Sequence, residues 1–82
     1  MPYIKPEDRD QVLVTGPKNA GEIQYCIAAI LQEYLNNIGN YRYQDLNDII
    51  GALEGAKLEF YRRVVVPYEN LKIGENGDVY DT

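Results

Sequence analysis

The chain has 82 residues and a net charge of −5, with eight Lys and Arg against thirteen Asp and Glu, no histidine, and Cys26 as its one cysteine. That length makes one small domain with a marginal core; a lone thiol excludes an internal disulfide and, without histidine, makes a poor metal site, so oligomerisation is the remaining aid. The acidic balance argues against generic nucleic-acid binding, and no apolar run approaches the roughly 18–20 residues that span a bilayer.

In chain order, the opening MPYIKPEDRD lacks the apolar segment of a signal peptide, and a lone thiol suits a reducing compartment. Both set the expectation of a cytoplasmic protein. Residues 6–13, PEDRDQVL, form a predicted short helix: Pro6 fits a first turn, and Glu7 and Asp8 favour its positive end. The stretch TGPKNAG then breaks it. Asn19 and Glu22 have the spacing of a capping box. From there Ile23, Cys26, Ile27, Ile30, Leu31, Tyr34, Leu35 and Ile38 recur at helical steps, predicting an amphipathic helix over about 20–38 that stops at Gly39.

A second stripe, Leu46, Ile49, Ile50, Leu53, Ala56, Phe60 and Val64, predicts a longer helix over about 44–66. Pro67 should end or kink it, because proline removes a hydrogen bond and clashes in a helix interior. The short join between the two helices predicts antiparallel neighbours. Beyond them, Asn76-Gly77 between short extended segments predicts a β-hairpin over about 72–80. Tyr3 and Ile4 are candidates to add a strand to it. The expected fold is therefore mainly α, a single domain over 1–82: an antiparallel helical hairpin with a short N-terminal helix and a small C-terminal β-hairpin.

Catalytic chemistry finds few candidates. There is no histidine to act as a base near neutral pH. Cys26 lies among isoleucines, where a thiol behaves as a small hydrophobe. Serine is absent, and Thr15 and Thr82 fall in a loop and at the terminus. Asp45 with Asp48 and Glu54 with Glu59 read as solvated helix faces. Glu75, Asp78 and Asp81 lack the ordered ligand spacing of a calcium loop. No enzyme, cofactor or metal site is expected.

Two features invite binding. Gly51 and Gly55, and Ala52 and Ala56, lie four residues apart in GALEGA, each pair on one helix face. A helical glycine costs about 1 kcal/mol against alanine. Close packing would offset that, either on Ala28 and Ala29 or on the same helix of a second subunit; a groove left open for a ligand is the other reading. The second feature is the cluster of Lys57, Tyr61, Arg62 and Arg63, with Tyr68 just beyond. It can be a helix end whose cations oppose the dipole, with Glu59 pairing Arg62 or Arg63. It can also be a guanidinium fork beside a ring, which suits a phosphate and its attached base. Eight tyrosines in so short a chain fit half-buried interface positions, or a domain with little true interior.

The stretches MPYIKPEDR, ALEGAKLEFYRRVVVPYENLKI and ENGDVY resemble a family of small uncharacterised proteins of bacteriophages and bacteria, with near-identical ends around a variable middle. The resemblance covers about half of the chain and implies no activity or catalytic residue. The helix through Glu54, Ala56, Arg63 and Val65 to Pro67 and Glu69 is also similar in pattern to the last helix of phage anti-CBASS cyclic-nucleotide sponges. Those are small helical oligomers that bind nucleotide signals between subunits.

Three expectations follow. One is a non-catalytic homo-oligomer that sequesters a phosphate-bearing, nucleotide-like ligand at a subunit interface, in the host cytoplasm if phage-encoded, to counter host defence. Another is an acidic adaptor or inhibitor docking on a host protein. The blandest is a structural accessory whose function is its self-assembly.

Overall fold

The computed structural model describes residues 1–81, and Thr82 lies outside them. The chain divides into two compact units, Met1–Arg42 and Tyr43–Thr82.

The first unit opens with a 3-10 turn, Pro6–Asp8, that runs into α1, Arg9–Thr15. Pro6 presets the first turn and has no N–H to leave unsatisfied there. Thr15, expected in a loop, is the last residue of α1, and its hydroxyl donates to the Gln11 carbonyl at 2.9 Å. Gly16 stops the helix at φ 90°, with its N–H on the Val12 carbonyl.

Helix α2 spans Ala20–Ile38. The Asn19 side chain accepts from the Glu22 N–H at 2.9 Å, and the Glu22 carboxylate accepts from the Lys18 N–H at 3.0 Å. The box is thus closed one residue earlier than usual, on Lys18 rather than on the cap itself. Gly39, at φ 82°, ends α2 by donating to the Leu35 carbonyl. Among the described residues Val12 is the one buried hydrophobic, 5% exposed, on α1 beside Cys26 and Ala29 of α2.

The N-terminal segment is tied into this unit. A Cβ on Gly21 would lie 2.9 Å from the Met1 carbonyl, so only glycine lets the segment run so close to α2. The Arg9 guanidinium donates to the Ile4 carbonyl at 3.2 Å and sits 5.8 Å from the Tyr25 ring centre. Tyr3 and Ile4 therefore form no strand, and the pairing expected of them is corrected.

The second unit is one helical run: α3, Tyr43–Phe60; a π turn, Tyr61–Val65; and α4, Val66–Asn76. The helix expected to end or kink at Pro67 does not end there, because helix continues from Val66 through Pro67 to Asn76. Proline cannot donate to the carbonyl four residues earlier and crowds it. Just before Pro67 the backbone takes one residue more per turn, with the Val66 N–H reaching back to the Tyr61 carbonyl. Pro67 then stands in the first turn of α4, where its missing N–H costs nothing new.

The predicted C-terminal β-hairpin is not present. Residues 72–76 are helix, and no strand occurs among the described residues. A type I′ turn needs positive φ at both central residues. Here Asn76 is helical, and Gly77 alone takes φ 88°, capping α4 with its N–H on the Ile73 carbonyl at 2.8 Å. After it the Tyr80 N–H donates to the Asp78 carboxylate at 3.0 Å.

Candidate functional site

The π turn coincides with the cation-rich stretch. Tyr61, Arg62 and Arg63 are three of its five residues. Such turns persist where the surroundings hold them, often at functional sites, and Pro67 supplies the local cause here.

Each polar member of the cluster has a partner. Glu59 holds both arginines, at 2.6 Å to Arg62 Nη2 and 3.6 Å to Arg63 Nη1. Lys57 lies 3.7 Å from Glu54. All of these side chains are exposed, so each pair contributes only tenths of a kcal/mol and can be exchanged for another partner. Tyr68 meets the Lys72 ammonium at 5.6 Å from its ring centre, and Lys72 also bonds Glu75 at 3.1 Å.

Tyr61 reaches furthest. Its hydroxyl donates to Glu69 Oε1 at 3.1 Å, across the π turn. In an ordinary helix, residues eight apart are offset by about 80°. The residue inserted by the π turn removes most of that offset and brings phenol and carboxylate onto one line. The hydrogen bond to Glu69 and its negative charge push the Tyr61 phenol above its ordinary value of 10.0.

Tyr61 and Glu69 also line an open groove of about 580 Å³, completed by Val66 and Ile73 and by Val79 and Tyr80 of the C-terminal segment. Lys57, Arg62, Arg63 and Tyr68 are not among its lining residues. The cluster is therefore split. The two arginines share Glu59, the tyrosine turns to Glu69, and Lys57 and Tyr68 pair elsewhere. Sequence reading missed Glu69 and the tail as neighbours of Tyr61. The signal was Pro67 itself, which marks where a helix has to accommodate an extra residue.

Gly51, Ala52, Gly55 and Ala56 lie on α3, away from the π turn, and all four are exposed. A Cβ at Gly51 or Gly55 meets nothing within 4 Å. Cys26 is half-buried in α2. No group of three or more His, Cys, Asp or Glu side chains gathers at metal-binding distance among the described residues. No helix of the described residues is long and apolar enough to cross a membrane.

A family model, described as a domain of unknown function (DUF6899), matches residues 1–79. The chain belongs to this family. The match takes in the middle of the chain as well as the stretches that carried the sequence resemblance up to residue 79, and so is wider than that half. No curated protein and no solved structure matches the chain.

Proposed function

We propose that this protein is a non-catalytic, self-assembling binding protein that takes a phosphate-bearing small ligand where its subunits meet. The observation that carries the reading is the pair of exposed guanidiniums, Arg62 and Arg63, that the π turn carries on one shared carboxylate. Arg62 and Arg63 share one exposed carboxylate, and a phosphate would replace it with more acceptor oxygens in the same fork geometry. Tyr61 and Tyr68 supply rings against which a base can stack. The pattern shared with cyclic-nucleotide sponges favours a nucleotide signal as ligand and host defence as its context.

The test is thermal unfolding of the full chain with a panel of cyclic and linear nucleotides. A ligand at one hundred times its dissociation constant adds about 2.7 kcal/mol. Arg62→Ala and Arg63→Ala should each remove that gain while leaving the unliganded transition in place. A flat response across the panel sinks the ligand. One observation favours docking on a host protein instead: Val79 and Tyr80 are strongly exposed beside Asp78 and Asp81. In that case removing residues 78–82 would abolish capture of the partner, and the arginine variants would not.

A further inference from the structure

The second unit has a surface that its own residues leave uncovered. None of its described residues is buried. Units of about 40 residues without disulfides or metals usually need association to hold together. On α3, Leu46, Ile50, Leu53, Lys57 and Phe60 fall on one face at helical steps, and Tyr61 and Val64 extend it into the π turn. Ile50 is 64% exposed, Phe60 59% and Val64 53%.

We infer that this face docks on the same face of a second copy, the two helices running antiparallel with the two-fold axis at the level of residues 55–56. The inference rests on the self-assembling reading above and adds the surface, the orientation and the register. Three observations select that occupant.

Area is the first. The exposed parts of Leu46, Ile50, Phe60, Tyr61 and Val64 offer on the order of 500 Å² of largely apolar surface. With the stems of Lys57 and its neighbours, the covered area comes to about 600 Å² per partner, the lower edge of stable interfaces.

Charge order is the second. The run has an acidic start, with Asp45 in its first turn and Asp48 in its second, a basic stretch with Arg62 and Arg63, and the pair Glu54 and Lys57 between them. A parallel copy would set the arginines against arginines and the aspartates against aspartates. An antiparallel copy sets unlike ends together. It also places Glu54 of each chain beside Lys57 of the other, closing the existing 3.7 Å pair into an alternating ring about the two-fold axis.

Side-chain size is the third. The same register sets the aliphatic end against the end that carries Phe60 and Tyr61, with Ile50 facing Phe60 and Leu46 facing the smaller Val64. Like halves would otherwise leave the two aromatic ends crowded and the two aliphatic ends thin.

The experiment is light scattering and sedimentation on the full chain across a concentration series. Glu54→Lys alone, or Lys57→Glu alone, puts four like charges around the axis and should raise the dissociation constant about tenfold. The double swap, Glu54→Lys with Lys57→Glu, should restore it; circular dichroism separates this from a loss of helix. Orientation is read in a Cys26→Ala background by mixing an Ile50→Cys chain with a Phe60→Cys chain. The mixed disulfide should form faster than either self-disulfide. If the chain assembles but the swap restores nothing and the self-disulfides dominate, this interface is wrong while the self-assembling reading stands. A monomer at every concentration, with or without nucleotide, overturns both.

Discussion

The two units hold themselves together in different ways. In residues 1–42, side chains tie elements distant along the chain: Arg9 joins Ile4 to Tyr25, Val12 is buried where α1 meets α2, and Gly21 admits the Met1 carbonyl. In residues 43–81 four ion pairs join neighbours on one helical run, Glu54 to Lys57, Glu59 to Arg62 and to Arg63, and Lys72 to Glu75. A hydrogen bond, Tyr61 to Glu69, crosses the π turn of that same run. The lesson is that exposed pairs at helical spacing decorate a helix without supplying a core, because water competes for every one of them.

That contrast can be broken by substitution. The largest effect belongs to the first unit. Val12→Ala removes two buried methyl groups and should lower its stability by about 2 kcal/mol. Chemical denaturation, followed residue by residue, should show amides of α1 and α2 weakening while those of α3 hardly change. Equal weakening in both units would mean that they unfold as one body.

The next effect has the opposite sign. Gly51→Ala and Gly55→Ala add a methyl group where nothing lies within 4 Å, so each should raise helix stability by about 0.5–1 kcal/mol. Thermal unfolding of the two variants measures it. A loss instead of a gain would mean that a second chain packs its backbone on the glycine face.

The smallest effect is confined to one hydroxyl. A raised phenol pKa means that the folded chain holds the proton more tightly than the unfolded chain does. The contribution of Tyr61 is therefore fully present below the ordinary value of 10.0 and is lost as pH climbs through the raised one. Absorbance titration should show Tyr61 ionising late, and Glu69→Gln, which removes the neighbouring negative charge, should make it ionise earlier. Pro67→Ala should do the same if the proline maintains the π turn, since an ordinary helix swings Tyr61 and Glu69 apart. A late tyrosine that survives both changes would place its cause elsewhere.

The candidate site was legible as a location and illegible as an arrangement. Adjacent arginines beside a tyrosine and ahead of a proline mark the π turn, and Glu59 was recognisable as their partner from its spacing alone. Glu69 was not, because its approach to Tyr61 depends on one extra residue per turn, which no fixed helical period contains. The lining of the groove by Val79 and Tyr80 depends on where the chain goes after Gly77, and that direction has no periodic trace.

By itself the sequence determined the elements whose signals are local. Asn19 with Glu22 starts α2, Gly39 ends it, and Pro6 opens the first helical turn, because caps and first turns are satisfied by atoms a few residues apart. Family membership is likewise a property of the sequence. Structure decided the places where one residue type serves two geometries. Asn76-Gly77 fits a hairpin turn or a helix end, and α4 running on through Asn76 to the Gly77 cap selects the end. Pro67 fits a stop or a restart, and the π turn, by giving the carbonyls before it another donor, makes it a restart.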